Sequence, residues 1–289
     1  VDVLAHFLGG AQLENAPHTL DDAVIVGLDT EWFERGCKAV TELGISIIDT
    51  LSLSRVGSPW TALASMQVHH ARIMKNAHMV NGKKCAGHPD RFEFGATKFV
   101  TMEEARRLLL DSFSHSRGDG SLRPVIFIGH AVDNDVDSMK EHLGVDLNEL
   151  GVIATALDTQ AMATELGLVP ESRLLSLKDL LAEFAIQEEY LHTAGNDIAL
   201  TTIAAFLLTA DHVAGSDFWR VAHNRSEVAS LKSLLQSHPA PTQGITTFCT
   251  KCDSTSHMFA QCSAAVSCTE CAANSDRSRF AHTHKTEKC

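Results

Sequence analysis

The stretch Ala23-Val24-Ile25-Val26-Gly27-Leu28-Asp29-Thr30-Glu31 decides the fold. Its short apolar run suits a strand buried on both faces and delivers Asp29, with Glu31 two residues on, at its C-terminal end. Outward from it, Glu42-Leu43-Gly44-Ile45-Ser46-Ile47-Ile48-Asp49 alternates loosely as the neighbouring strand, and Thr61 to Val68 makes a weaker third. Thr101-Met102-Glu103-Glu104 opens a helix with a capping pattern. Pro124-Val125-Ile126-Phe127-Ile128-Gly129-His130 is a second buried strand, followed by a helix from about Asp133 to Leu143, and Ala156-Leu157-Asp158-Thr159 reads as a last strand. Helices then begin at Ser176 and run over Asp197 to Thr209 and Ser216 to Gln236. Strands first, then alternation of strand and helix, predict an α/β sheet with helices on its faces.

The 289 residues, 44% hydrophobic and 21% charged, suffice for one substantial domain and a small appendage. No run approaches the roughly 18 consecutive apolar residues of a membrane span, and a chain that starts at Val1 leaves targeting unreadable. Pro239-Ala240-Pro241-Thr242-Gln243-Gly244 stops the last helix and reads as a linker (239–244) between a large domain (1–238, core 23–210, last helix 216–236) and a terminal module (245–289). Net charge is −12; from Gly244 onward five Lys or Arg face four acids, so the rest carries −13. A protein that neutralised phosphates over a long footprint would be basic. A nucleic-acid substrate would therefore be short and locally held, or delivered by a partner.

Cys37 and Cys85 stand alone, whereas Cys249, Cys252, Cys262, Cys268, Cys271 and Cys289 crowd together with His257, His282 and His284. That division reads as zinc in a reducing, cytoplasmic setting rather than a disulfide framework. Cys249-x2-Cys252-x4-His257-x4-Cys262 has the ligand spacing of a zinc knuckle. A second set is Cys268-x2-Cys271 with Cys289 and either His282 or His284; His284-x4-Cys289 repeats the first site's last spacing and is preferred. Sequential sites are favoured over a cross-brace that joins Cys249, Cys252, Cys268 and Cys271. A 46-residue segment has too little core to fold without metal, so both zinc ions are read as structural. Ser256 and Thr250 stand where nucleic-acid knuckles usually carry glycine and an aromatic residue, and the module is near neutral, which favours a docking or stabilising role.

In the large domain, Asp29 and Glu31 point to one side of a strand and can hold one cation between them, with Asp29 free to bridge to a second. Asp133, Asp135 and Asp137 follow the strand ending at His130; Asp133 suits helix capping, and Asp135 is free to turn toward the sheet edge. In His192-Thr193-Ala194-Gly195-Asn196-Asp197, the glycine and asparagine let the backbone bend tightly before a helix, with His192 on the loop and Asp197 in the first turn. A histidine there can take a proton from a metal-bound water near neutral pH. Buried carboxylates that converge demand cations, and two hard cations describe a phosphodiester-cleaving centre.

A D-x-E after the first strand, G-H-x-x-x-x-D after a later one and a terminal H-x-A-x-x-D, in that order over about Ala23 to Leu208, resemble the DEDDh exonucleases, RNase H-like 3′-5′ nucleases of DNA or RNA. Leu28 to Trp32, Asp90 to Gly95 and Leu191 to Asp197 further resemble a fungal branch, the Argonaute-associated QIP type that removes passenger strands from small interfering RNA duplexes. The resemblance implies an RNase H-like mixed sheet, two Mg²⁺ or Mn²⁺ ions on Asp29, Glu31, Asp135 and Asp197, and His192 as general base. It also implies release of 5′-mononucleotides, substrate contacts at Thr30, Trp32, Phe33 and His130, and an Argonaute partner. Trp32 and Phe33 either stack on terminal bases or pack in the core. The segment from His69 to Val100, with Arg72, Lys75, Lys83, Lys84 and Arg91, replaces a shorter connection and is expected to touch substrate or partner. Against the enzyme stands an interaction protein on an exonuclease scaffold, with weak or lost catalysis.

Overall fold

A computed structural model describes residues 1–9, 18–34, 38–53, 58–82, 85–170, 172–215, 219 and 223–289. Cys37, Lys83 and Lys84 lie outside that set, as do residues 216–218 and 220–222 of the expected last helix. Along the chain come α1 (Asp2–Ala5), β1 (Val24–Trp32), β2 (Val40–Asp49), α2 (Pro59–Leu63), β3 (Gln67–Ile73), β4 (Thr97–Val100), α3 (Met102–Phe113), β5 (Val125–Gly129), α4 (Val132–Ser138), β6 (Ile153–Asp158), α5 (Thr159–Glu165), α6 (Leu177–Glu183), α7 (Ala194–Ala214), α8 (Asn224–Leu235) and α9 (Thr269–Ala272).

Six strands form one mixed sheet in the order β4-β3-β2-β1-β5-β6. β1 pairs antiparallel with β2 and parallel with β5, and β5 pairs parallel with β6. Period-2 alternation splits β1 between two layers: Val24, Val26 and Leu28 pack with α3, whereas Ile25 packs with α7. Gly27 shares Ile25's face, where an added Cβ would come within 2.7 Å of Ile198. That close approach seats α7 directly on the central strands. α7 is 21 residues long and apolar enough by composition to cross a membrane, but 83% of its apolar window is buried inside the protein. It is the core helix, and each of its buried Leu, Ile and Phe side chains contributes roughly 1.5–3 kcal/mol.

Side-chain caps start several helices where the residues predict them: Thr101 with Glu104 closes a capping box on α3, and Ser176 accepts from the Asp179 amide on α6. The expected strand over Thr61 to Val68 is not formed. Pro59 stands at the first helical position, Ala62 and Leu63 bury with α7, and the strand begins at Gln67. The segment from His69 to Val100 is accordingly no single connection, because it holds most of β3 and all of β4. α7 starts at Ala194, three residues earlier than expected, and α8 covers only Asn224–Leu235.

Candidate functional site

β1 and β5 run parallel, so their C-terminal ends meet at one edge of the sheet, where ligands gather in such folds. Asp29 and Glu31 emerge there from β1, Asp135 from the first turn of α4 behind β5, and Asp197 from the first turn of α7. Glu31, His192 and Asp197 hold their ligand atoms within 4.8 Å of one another. His192 Nδ1 lies 3.8 Å from Glu31 Oε1, and the His192 amide donates to Asp197 Oδ2 at 2.9 Å. His192 takes a left-handed backbone (φ 60°), uncommon for a non-glycine residue, and its side chain stays partly open to solvent.

Electrostatics mark the cluster as incomplete without cations. Burial pushes Asp135 up to about 7, Asp197 to about 8 and Glu31 to about 9, with Asp197's charge next in effect on Glu31. Asp29 is raised well above the usual carboxylate range by burial and then by Asp135 and Asp197. Asp29 Oδ2 and Asp197 Oδ1 are buried without a hydrogen-bond partner. Buried orphan carboxylate oxygens facing like charges are what divalent cations with oxygen ligands would satisfy, so the donor set fits Mg²⁺ or Mn²⁺. Burial, reinforced by His88, holds the His192 ring below the ordinary imidazole value of 6.5.

Supporting residues have no motif of their own. Glu42, opposite Glu31 across β1 and β2, accepts from the Ala194 amide at 3.3 Å, and its Oε2 lies 2.8 Å from His70 Nε2. His70 Nδ1 in turn bonds Thr97 Oγ1 at 2.9 Å. This chain of contacts fixes the start of α7, and with it Asp197. Asn196 accepts from the Glu93 amide and donates to the Arg91 and Tyr190 carbonyls, clasping the β3–β4 connection to the His192 loop. Asp158 accepts from the Ala131 and Val132 amides and holds the turn that aims Asp135. Glu42 and Asp158 resemble ordinary strand-end acids in the sequence, so only their partners reveal them.

Gly44 lets β2 touch α7: an added Cβ would sit 1.9 Å from the Ala194 carbonyl oxygen and 2.7 Å from the Gly195 nitrogen. Both are backbone atoms, so the strand and helix must part. Gly44→Ala is therefore expected to lower the melting temperature by roughly 2–10 °C and to weaken Mn²⁺ binding by displacing Asp197. Scanning calorimetry and Mn²⁺ titration check it; an unchanged melting point would refute the contact.

Four expected substrate contacts divide. Thr30 is buried and its hydroxyl donates to Asp135 Oδ1 at 2.7 Å, so its side chain orients a carboxylate instead of facing the cleft. His130 bonds Thr159 Oγ1 at 2.8 Å and serves the β6–α5 junction. Trp32 follows a bulge in the β1–β2 pairing, and Trp32 and Phe33 remain half-buried near the cleft. Of the basic residues between His69 and Val100, Arg72 is buried against Asp90 and the Ala77 carbonyl, unavailable to substrate, whereas Arg91 is exposed over the Tyr190 ring.

The terminal module brings together Cys249, Cys252, His257 and Cys262 in one group and Cys268, Cys271, His284 and Cys289 in another. This sequential grouping differs from the cross-brace, and it uses His284, not His282. Sulfurs of Cys271 and Cys289 are 3.7 Å apart, and Cys252 Sγ is 3.4 Å from His257 Nε2. A tetrahedron with Zn–S bonds of about 2.3 Å needs sulfurs roughly 3.7–3.8 Å apart, so the donors fit zinc. The module is docked on the large domain: Ile245 bridges Phe99 at the outer edge of β4, Phe248 packs on the Phe99 ring, Lys288 reaches the Met74 carbonyl, and in the linker Gln243 donates to Asp111 Oδ2. The module thereby covers an edge strand.

Residues 24–208 match the family described as DNA polymerase III subunit epsilon-like, C-terminal domain. Over 186 residues the chain is 27% identical to an uncharacterized nucleolar protein, C2C4.08, of Schizosaccharomyces pombe, covering 61% of this chain and 65% of that one. Among solved structures it is similar to Escherichia coli exonuclease I in complex with a dT13 oligonucleotide (12% identity, TM-score 0.41, 72% of this chain and 46% of that). It is also similar to the Neurospora crassa Pan2 catalytic unit (14% identity, TM-score 0.42, 78% and 31%). The chain spans just under two thirds of the relative's length and less than half of either structure's.

Proposed function

Because the chain belongs to that DEDDh family, DNA polymerase III subunit epsilon-like in its C-terminal domain, we propose that it is a 3′-5′ exonuclease that removes 5′-mononucleotides from single-stranded ends. The observation that carries the reading is the pair of orphaned carboxylate oxygens, on Asp29 and Asp197, where Asp29 feels the charges of Asp135, Asp197 and Glu31, and Glu31 and Asp197 gather with His192. Asp29, Glu31, Asp135 and Asp197 would hold two Mg²⁺ or Mn²⁺ ions. When bound, such a pair supplies Lewis acidity at the phosphate and lowers the pKa of the attacking water. Thr30 keeps Asp135 aimed, and the Glu42–His70 contact keeps Asp197 in place. The His192 ring, neutral because burial holds it below 6.5, accepts the water's proton, with Glu31 beside Nδ1 to orient it. Trp32 and Phe33 flank the terminal base.

RNA is the substrate we favour, such as the passenger strand of a small interfering RNA duplex delivered by an Argonaute partner; the likeness of three short motifs to Argonaute-associated exonucleases supports it. Two structural zinc ions complete the tail. Six of the eight cysteines stand in the two ligand groups, which favours an intracellular, reducing setting, and the relative named nucleolar agrees with that setting.

The test is degradation of 5′-labelled RNA and DNA of equal sequence with Mg²⁺, Mn²⁺ or EDTA. A metal-dependent ladder shortening from the 3′ end is expected, faster on RNA; intact strands throughout would leave an interaction protein on this scaffold. His192→Ala is expected to slow hydrolysis about 10²–10⁴-fold. Since the neutral ring is the active form, the parent's rate should fall as pH drops through the depressed His192 value. With Mn²⁺ held saturating at every pH, so that metal loss from the four acids does not shape the profile, the variant should lose that limb, and a retained limb would assign the base elsewhere.

A further inference from the structure

Directly beyond Glu31 the chain passes through Trp32, Phe33 and Glu34 into a groove of about 630 Å³. One wall is Phe33, Glu34 and the turn around Val80; the other is the second cysteine and histidine group, through Arg277, Arg279 and Phe280. The volume lies in the range of about 300–1,000 Å³ typical of sites that enclose ligands. Val80 and Phe280, on opposite walls, are 44% and 39% exposed. The Arg279 guanidinium lies 4.7 Å over the Phe280 ring, and neither Arg277 nor Arg279 has a carboxylate partner among the described residues. In a chain of net charge −12, Arg279, together with Arg277, whose Nη1 also donates to the Cys289 sulfur at 3.9 Å, stands beside the exposed Phe280 ring as a place for an anion that also stacks.

The groove adjoins the carboxylate cluster along the chain, since Phe33 and Glu34 on its wall follow Glu31 by two and three residues. Asn81 donates to the Trp32 carbonyl at 2.8 Å and accepts from the Glu34 amide at 3.0 Å. Its own carbonyl accepts from Gly87, and the next residue, His88, donates its amide to the His192 carbonyl. One backbone segment thus joins the groove floor to the loop that carries His192. A strand whose 3′ end lay at Asp29 and Asp197 would leave over Phe33 and enter here. Glu34 on the near wall turns phosphates toward the arginines opposite.

We propose that this groove binds the nucleotides 5′ of the scissile phosphate in a single nucleic-acid strand, with phosphates toward Arg277 and Arg279 and a base on Phe280. The proposal rests on the exonuclease reading of the carboxylate cluster, and it gives the terminal module a substrate role beyond covering β4. It also fits the acidic chain, which can hold a strand only at such a local cationic wall.

The test uses the full chain carrying Asp29→Asn to silence hydrolysis, with 5′-fluorescein single strands of three and twelve nucleotides read by anisotropy. The twelve-mer should bind about tenfold or more tighter than the trimer. Arg277→Ala/Arg279→Ala/Phe280→Ala should erase that gain and flatten the salt slope of log affinity by about 1.4, two phosphate contacts at about 0.7 each on a single strand. Arg277→Glu/Arg279→Glu is a second variant that keeps Phe280, with metal content and melting temperature as controls for its fold, and it should also lose the gain. A ratio of affinities and a salt slope equal to the parent's in both variants would overturn the proposal and leave the groove to a protein partner. Hydrolysis of the trimer by the unsubstituted chain separates the two readings. If the trimer is cleaved and the ratio is unmoved, only the groove falls; if nothing is cleaved, the exonuclease reading falls while the affinities still report on the groove.

Discussion

Asp29→Asn is expected to abolish hydrolysis while making the metal-free protein more stable. If Asp29 is the shared cation ligand proposed above, its loss removes several kcal/mol of charge stabilisation in the transition state, roughly 10³-fold or more in rate. The stability change has the opposite sign because Asp29, Glu31, Asp135 and Asp197 all sit above their ordinary carboxylate values. Groups whose folded pKa is raised bind protons that the unfolded chain has released. Their cost therefore grows as pH rises from about 4 toward the folded values near 7, 8 and 9. One fewer carboxylate relieves it, by on the order of 1 kcal/mol or about 2–4 °C for a chain of this size. The same linkage has metal binding release protons, so Mn²⁺ affinity should tighten between pH 6 and 9. Calorimetry of metal-free parent and variant at pH 8, with titrations in two buffers of different ionisation enthalpy, checks both. A variant that melts lower than the parent would mean that the four acids do not repel one another as described.

Stripping zinc is expected to unfold residues 245–289 while the sheet persists. Among the described residues, the second group's own buried cluster is only Cys268, Cys271 and Ala281, too little to fold without its ligands being tied together. Structural zinc in peptides of this size is worth roughly 10–16 kcal/mol, far above what such a core supplies. The purified chain should carry two zinc ions, and Cys249→Ala or Cys268→Ala should each remove one. Hydrogen exchange should then show loss of protection in the affected group and at Phe99, which Ile245 and Phe248 cover. Full protection of 245–289 in zinc-free protein would reject the structural role. Since Phe280 and the arginines hang on the second group, Cys268→Ala should cost affinity for long strands more than Cys249→Ala.

The strands that build the site were readable because each is a contiguous run: Val24 to Leu28 and Val125 to Gly129 announce buried strands by composition alone. The start of α7 was placed late because Ala194, Gly195 and Asn196 look like a turn. They are helical because Gly44 and Gly195 allow a close approach between β2, β3 and the helix, which no local pattern contains. The basic residues between His69 and Val100 read as a substrate face, yet Arg72 is buried by a carboxylate 18 residues away.

By itself the sequence determined the layering of the sheet, the acids that end its strands, the histidine before Asp197 and the ligand spacing of the tail. All of these are properties of residues near one another along the chain. The tertiary structure alone decided that Thr30 serves Asp135, that Glu42 and His70 brace Asp197, and that the tail walls a groove beside the end of β1. Those pairings join residues from tens to more than two hundred positions apart. They are selected by which faces the folded layers press together, and no period or spacing in the chain encodes them.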